Sequence, residues 1–244
     1  MIFLKILCVL IGIILCYILF LIVSSLFINP NMEYEINSRF YRFLLNSATA
    51  IAFVATRLKV HTIGMEHLPK EGRFLLVCNH RSKFDPIITW YILRKYDLAF
   101  ISKAENFNVP IFGRFIRKCC FMAIDRENPK KAMETIQRAA KLIERDEVSI
   151  GVYPEGTRSK TTELLPFHNG VFKIAQKAKV PIVIVAIQGT EQIKSNYPLH
   201  RSHIQLSILE TLPTDYVTSH KTAEIGEYVR LKMNEVLQQE EEPI

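Results

Sequence analysis

Cysteine is scarce in this sequence, and its spacing fits neither a disulfide framework nor a CxxC motif. The five cysteines stand at positions 8, 16, 78, 119 and 120, which favours a reducing compartment for most of the chain. Nothing beside Cys119 or Cys120 marks a nucleophile, so we expect both in the core. The sequence also lacks a GxSxG nucleophile elbow and a P-loop, which argues against an α/β-hydrolase and a P-loop nucleotide-binding protein.

Metal-ligand spacings are missing as well. The chain has seven histidines, and the pair nearest to such a spacing, His200 and His203, falls in a polar loop. We therefore expect no metal site. The net charge is +7, from 31 Lys and Arg against 24 Asp and Glu, which suits a phosphate-bearing partner or an anionic membrane surface. No nucleic-acid motif supports the competing partner, nucleic acid.

The N-terminal part of the chain is strongly apolar. Residues 6–28 carry no charge, and such a run is long enough to span a bilayer. A clear signal-peptide cleavage site is missing. We predict an uncleaved transmembrane or membrane-inserted helix over residues 1–28. Lys5 lies before the run, whereas Arg39 and Arg42 follow it, and this small bias places the rest of the protein on the cytoplasmic side.

Residues 29–56 predict an amphipathic helical connector. Apolar and small side chains recur there at helical spacing, with basic and tyrosine residues beside them: Phe40, Phe43, Leu44, Ser47, Ala48 and Ile51, flanked by Arg39, Tyr41 and Arg42. Such a helix can lie in the membrane interface or pack on a domain as an ordinary core helix. The pattern leaves both possibilities open.

Residues 57–244 predict one α/β domain with a closing C-terminal helix. Short apolar runs predict strands at 58–63, 74–77, 98–101, 120–124, 148–153, 180–187 and 204–209. Helical patterns cover 86–93, 129–145, 170–179 and 225–237. With no repeat and no low-complexity linker, we expect a single domain with a mixed, mostly parallel β-sheet flanked by helices, behind the membrane-anchoring helix.

His80 and Asp85 stand between the 74–77 strand and the next helix. Residues five apart on an ideal helix point roughly 140° apart, so at least one of the two must lie in the turn for their side chains to meet. As a dyad, Asp85 would hold one ring nitrogen while the other takes a proton from a hydroxyl. The alternative is that Asp85 is only a helix N-cap and His80 a hydrogen-bonded surface group.

A candidate anion-binding turn follows the 148–153 strand. Gly156 and Thr157 leave main-chain N–H groups free to cradle an anion, and Arg158 adds a guanidinium fork. Glu155, which cannot bind phosphate, would hold Arg158, Arg126 or a substrate hydroxyl. Arg126, just after the 120–124 strand, offers a second guanidinium at the same edge if the strands run parallel. The alternative is a set of surface turns with solvated ion pairs.

Four blocks in this order resemble the glycerolipid acyltransferases of the 1-acylglycerol-3-phosphate acyltransferase type. They are residues 79–85, which hold the HxxxxD motif, 120–126, 153–159 and 180–185; residues 165–170 also resemble the family's segment after the third block. The resemblance covers about residues 60–211. Cys120, Ala123, Ile184 and His168 depart from the usual Gly, aromatic residue, Pro and Lys. These departures leave the chemistry intact and the acceptor open.

The resemblance implies an acyltransferase without a metal or a cofactor. Its co-substrate would be acyl-CoA or acyl carrier protein, its acceptor the 2-hydroxyl of lysophosphatidic acid in the membrane, and its product phosphatidic acid. His80 and Asp85 would be catalytic, and Arg126, Glu155, Gly156, Thr157 and Arg158 would bind substrate. The alternatives are the same chemistry on another lysophospholipid or glycerol-3-phosphate, or a non-catalytic lipid-binding membrane protein.

Overall fold

The computed structural model describes residues 1–161 and 163–238. Its strands are β1 Leu58–Ile63, β2 Leu75–Cys78, β3 Leu98–Ser102, β4 Met122–Ala123, β5 Ser149–Val152, β6 Ile182–Gln188 and β7 Ser202–Leu212. Its α-helices are α1 Ile2–Leu26, α2 Arg39–Ala55, α3 Asp85–Ile92, α4 Phe112–Lys118, α5 Pro129–Glu144, α6 Lys173–Ala178, α7 Ile193–Asn196, α8 Thr214–Ser219 and α9 Thr222–Gln238.

The strands form one sheet in the order β1-β7-β6-β2-β5-β3-β4. Adjacent strands are parallel except β6 and β7, which pair antiparallel. The predicted mixed, mostly parallel sheet is confirmed. The strand predicted over residues 120–124 is shorter than expected and covers only Met122–Ala123.

Both faces of the sheet are covered, which explains why its central strands are apolar throughout. Along β2, Leu75 and Val77 join the core on one side, together with residues of α5, α6 and α9. Leu76 and Cys78 join the core on the other side, together with residues of α3. Side chains alternate between faces with period two, so a strand buried on both sides has no polar face.

The N-terminal helix α1 is long and apolar enough to cross a membrane, and its apolar side chains are exposed. It meets α2 through side chains: the hydroxyl of Tyr17 lies 2.7 Å from that of Ser47, and the hydroxyl of Tyr41 donates to the carbonyl of Ser24 at 3.1 Å. α1 is therefore linked to the rest of the chain along one side of its C-terminal half.

Helix α2 packs on the domain and also exposes apolar side chains. Its buried side contains Arg42, Leu45 and Thr49, whereas Phe43 and Ile51 are exposed. The sequence placed Arg42 among the residues flanking an apolar stripe; instead it is buried, and its guanidinium stacks 4.4 Å from the centre of the Trp90 ring. Of the two possibilities left open for this helix, packing on the domain is realised on one side, while the other side leaves apolar side chains exposed.

Candidate active site

The candidate site lies where parallel strands end. β2, β5, β3 and β4 are neighbours and run parallel, so their carboxyl ends share one edge of the sheet, the edge at which open α/β sheets bind ligands. His80 follows β2, the predicted anion turn follows β5, and Arg126 follows β4. The topology thus brings together three constellations that lie far apart in the sequence.

His80 and Asp85 form a hydrogen-bonded pair. The ring Nδ1 of His80 lies 2.8 Å from Oδ2 of Asp85. The carboxylate is fully buried, whereas the histidine side chain is 19% exposed. Because a carboxylate can only accept, Nδ1 carries the proton and Nε2 keeps a lone pair. A partly exposed imidazole with a fixed tautomer is the arrangement of a general base.

The hydrogen bonds of Asp85 decide between the dyad and the helix cap. Asp85 is the first residue of α3, and the N-cap is Phe84, which makes no side-chain cap hydrogen bond. The carboxylate turns back into the preceding loop, where Oδ2 accepts from the main-chain N–H groups of Arg81 and Ser82, each at 2.7 Å. Asp85 therefore organises the turn that carries His80. As the spacing required, His80 lies in this turn and not on the helix when the two side chains meet.

Glu155 has a different place from the predicted one. Its side chain is buried, and its two oxygens accept from the main-chain N–H groups of His80 at 2.7 Å and Leu165 at 2.9 Å. Burial raises the pKa of this carboxyl, although both hydrogen bonds act in the opposite direction. Both oxygens are engaged by main-chain groups rather than by Arg126 or Arg158, and a substrate-binding role for Glu155 stays a prediction. Glu155 fixes the His80 turn against the turn after β5.

Gly156 gives the anion turn its shape. Its N–H donates to the carbonyl of Tyr153 at 3.0 Å, and its φ of +69° is one that L side chains rarely adopt. An added Cβ would lie 2.8 Å from Cδ2 of His168. The positive φ disfavours any L side chain here, and an added Cβ would also displace the His168 ring, so this position favours glycine.

One cleft of about 650 Å³ connects the dyad with the anion turn. Its polar lining includes His80, Arg126, Gly156, Thr157 and Arg158, together with Lys83 and Lys103. Large apolar side chains form much of the remaining wall: Leu45 of α2, Trp90, Phe100, Ile116 and Phe121. Cations and apolar walls in one cleft suit an anionic amphiphile.

Two contacts at the site are absent from the sequence analysis. The Tyr153 ring lies 4.5 Å from the His80 ring, centre to centre, and Thr190 donates to Oδ1 of Asp85 at 2.5 Å. Tyr153 directly follows β5 and Thr190 comes two residues after β6. These positions could have predicted that both residues lie at the site, because residues just past parallel strands gather at the ligand-binding edge.

Comparison with known proteins adds a family and a fold. The Acyltransferase family model matches residues 59–188, more than half of the chain. The 1-acyl-sn-glycerol-3-phosphate acyltransferase of Saccharomyces cerevisiae is 31% identical over 75% of this chain and 61% of that protein. The protein of the same name from Bacillus subtilis is 32% identical over 61% of this chain and 71% of its own length.

The Escherichia coli protein of that name is 32% identical over 64% of this chain and 62% of its own length. The chain thus spans roughly six to seven tenths of these relatives. The crystal structure of the 1-acyl-sn-glycerophosphate (LPA) acyltransferase from Thermotoga maritima has a TM-score of 0.70 and 22% sequence identity, covering 92% of this chain and 88% of that one. At this identity the likeness is one of fold.

Proposed function

Because the chain belongs to the acyltransferase family, we propose that it transfers a fatty acyl group from a thioester donor to the 2-hydroxyl of 1-acylglycerol-3-phosphate, giving phosphatidic acid. The names of the yeast, Bacillus subtilis and Escherichia coli relatives support this acceptor. The observation that carries the proposal is the 2.8 Å bond between His80 and Asp85, in a cleft that also contains Arg126 and Arg158.

His80 is the proposed general base. Its Nε2 takes the hydroxyl proton as the acceptor oxygen bonds to the thioester carbonyl carbon, while Asp85 holds the Nδ1 proton and stabilises the imidazolium. The C–S bond then breaks, and the leaving thiolate receives the proton from His80, which restores the base. The step uses no metal and no covalent acyl-enzyme.

Arg126, Gly156, Thr157 and Arg158 are proposed to hold the acceptor phosphate. A guanidinium matches two phosphate oxygens with two parallel hydrogen bonds. The Gly156 N–H donates to the Tyr153 carbonyl within the turn, so the main-chain N–H groups proposed to face the anion are those that follow Gly156. Because these groups line the cleft that contains His80, a phosphate bound there fixes the neighbouring glycerol hydroxyl close to the base. Such positioning supplies a large part of the rate of a two-substrate reaction.

The acyl donor is proposed to be acyl-CoA or acyl carrier protein. The apolar wall formed by Trp90, Phe100, Ile116 and Phe121 suits the fatty acyl chain. Lys83 and Lys103 also line the cleft, and their charges suit the phosphate groups of either donor. Since the same cations suit both donors, only a direct comparison of the two in an activity assay distinguishes them.

A second acceptor class is favoured by a neighbouring pocket. About 190 Å³ of mostly apolar space adjoins the cleft and shares Arg126 and Gly156 with it; His168, Ile136 and Val171 also line it. A phosphate held by Arg126 could therefore carry a further substituent into this pocket. Lysophospholipids with a head group on the phosphate are the alternative acceptors that this space favours.

The proposed membrane arrangement follows from charge and apolar surface. α1 inserts into the bilayer, and the domain lies on the cytoplasmic face, the side of Arg39 rather than of Lys5. In sealed vesicles of known orientation, protease should digest the domain only where the cytoplasmic face is outside. Digestion from the other face would reverse the orientation.

The test of function uses the detergent-purified protein. Oleoyl-CoA or oleoyl acyl carrier protein is combined with lysophosphatidic acid, glycerol-3-phosphate or lysophosphatidylcholine, and thiol release and lipid product are followed. We expect release with lysophosphatidic acid, its loss in His80→Ala, and its retention in His200→Ala, a substitution of an exposed histidine. Turnover with another acceptor only would change the substrate; no turnover with any pair would contradict an enzymatic function.

A further inference from the structure

The buried carboxylate of Asp85 is bound at both of its oxygens. Oδ2 accepts from the His80 ring and from two main-chain N–H groups, all within residues 80–85. Oδ1 accepts from Oγ1 of Thr190 at 2.5 Å, a residue 105 positions further along the chain. The HxxxxD motif accounts for the partners of Oδ2, whereas Thr190 lies outside all four sequence blocks.

The chain fixes Thr190 at this position through the end of β6. The side chain of Asn79 forms two hydrogen bonds with the main chain of Ile187, at 2.8 and 3.0 Å, which holds the ends of β2 and β6 level. Gly189 then turns with φ of +81°, where an added Cβ would lie 2.4 Å from the carbonyl oxygen of His203. Thr190 follows directly and is fully buried, so its hydroxyl has little freedom to bind elsewhere.

We propose that Thr190 is a positioning residue of the dyad: its hydroxyl fixes the plane of the Asp85 carboxylate so that Oδ2 faces Nδ1 of His80, and it disperses the carboxylate charge that His80 experiences. This proposal rests on the proposed function, in which His80 is the base. It makes two separable predictions, one for the turnover rate and one for the pH at which His80 becomes active.

The sign of the pH effect follows from the charge on Asp85. A hydrogen bond to Oδ1 stabilises the carboxylate and weakens its attraction for an imidazolium. Without that bond, the imidazolium form of His80 is held more strongly, so the neutral base forms only at higher pH. The acidic limb of the kcat/KM profile should therefore move to higher pH when the hydroxyl is removed.

Other charged and titratable groups also face the dyad, and a substitution at position 190 leaves them in place. Glu155 and Tyr153 face it from the β5 side and Cys78 from the end of β2. Arg81 lies in the His80 turn itself, and Lys83, Arg126 and Arg158 line the cleft. A change in the profile of a position-190 variant consequently reports on the Thr190–Asp85 bond.

The simpler alternative is that Thr190 only satisfies a buried polar group of the fold. Thr135 on α5 provides the matched control, because it is also a buried threonine and its Oγ1 bonds main-chain carbonyls, of Ala123 at 3.1 Å and Lys131 at 3.2 Å, instead of the Asp85 carboxylate. Thr135→Val should lower thermal stability with no change in the pH profile. A purely structural Thr190 would behave in the same way.

The experiment measures kcat, both KM values and the pH profile of kcat/KM for Thr190→Val, Thr190→Ser and Thr135→Val. We expect Thr190→Val to lower kcat by about tenfold through misplacement of the base, to leave KM within about twofold, and to move the acidic limb to higher pH. Thr190→Ser, which keeps the hydroxyl, should have a kcat close to that of the wild type and an acidic limb at the wild-type pH.

Two further variants keep the outcome clear. If Thr190→Val does not fold, Thr190→Cys, a weak S–H donor of similar size, should shift the limb in the same direction by a smaller amount. A wild-type profile in a folded Thr190→Val or Thr190→Cys protein would overturn the proposal, as would failure of Thr190→Ser to restore it. Wild-type turnover and His80→Ala separate the levels: no wild-type turnover with any donor and acceptor would remove the proposed function, whereas an active His80→Ala protein would remove His80 as the base.

Discussion

At the scale of single residues, Asp85→Asn tests the dyad most directly. Asparagine caps helices about as well as aspartate but carries no charge to stabilise an imidazolium. Because the carboxylate binds the ring and the preceding loop rather than the helix, we expect a folded protein with kcat lowered by about a thousandfold. Thiol release gives the rate and thermal unfolding gives the stability, with the exposed Asp215→Asn as control. Undiminished turnover would remove Asp85 from the mechanism.

The cysteines give a second prediction at this scale. Burial raises the pKa of Cys119 and Cys120 to about 12, so about one thiol in ten thousand is ionised at pH 8. Cys78 is fully buried and its pKa is also raised. We expect iodoacetamide to leave all three unmodified and the enzyme active, with modification only after unfolding in guanidinium. Mass spectrometry locates the label; inactivation linked to any of these cysteines would implicate a thiol in the reaction.

Single residues also mark the limit of prediction from sequence. The spacing of His80 and Asp85 allowed a dyad as well as a helix cap, and only the resemblance to the family favoured the dyad. Thr190 was not predicted as a site residue, because its partner Asp85 lies 105 positions away in the sequence and only the pairing of β2 with β6 brings the two together. Glu155 was expected to hold Arg158, Arg126 or a substrate hydroxyl, whereas its partners are main-chain N–H groups, which no pattern of side chains encodes.

At the scale of elements, Arg42 joins α2 to the domain. Its guanidinium donates to the carbonyls of Leu98 at 2.9 Å and Cys119 at 3.4 Å. Arg42→Met would leave these two buried carbonyls without this donor, and we expect the free energy of unfolding to fall by about 3 kcal/mol. For a chain of this size, that loss lowers Tm by about 6–12 °C.

The control for Arg42 lies on the same helix. Arg39 is exposed, so Arg39→Met removes an equal charge with little effect on Tm in detergent. A similar small change in both variants would show that α2 is held by its apolar contacts alone. The sequence could predict α2 as an amphipathic helix, but not that one of its arginines is buried, because burial of a cation depends on carbonyls supplied by distant elements.

Glu155 links two turns, and its substitution has a predicted effect on rate. Gln retains one acceptor oxygen, while its NH₂ group would face one of the two N–H donors, of His80 or Leu165. We expect Glu155→Gln to displace the His80 turn and to lower kcat by about ten- to a hundredfold, with KM for the acceptor little changed. A large rise in the KM for the acceptor at constant kcat would instead show that Glu155 binds substrate.

The same carboxyl gives stability a predictable pH dependence. Burial raises its pKa in the folded protein, so the folded state binds its proton more tightly than the unfolded state does. Its contribution to stability is therefore greatest at acidic pH and is lost as pH rises through the raised pKa. In urea titrations from pH 4.5 upward, the wild-type free energy of unfolding should fall relative to that of Glu155→Gln. A constant difference would contradict this sign.

At the scale of the whole molecule, the cleft lies beside the helices that carry the exposed apolar surface. Leu45 and Thr49 of α2 line the cleft, and α2 also contacts the membrane-type helix α1. On the opposite side of α2, Phe43, Ile51 and Val54 are 67%, 55% and 81% exposed. A helix with one side on the domain and an apolar side outward is expected to settle into a bilayer interface.

This arrangement predicts that α2 orients the cleft toward lipid. The triple variant Phe43→Ser, Ile51→Ser and Val54→Ser removes exposed side chains only, so its fold and its turnover of a short-chain, water-soluble lysophosphatidic acid should persist. On vesicle-embedded lysophosphatidic acid, we expect kcat/KM to fall at least about tenfold, or about 1.4 kcal/mol, which is less than the burial of three large apolar side chains provides. Equal losses on both substrates would show that these side chains are needed for folding. No loss on vesicles would show that this side of α2 has no role in membrane binding.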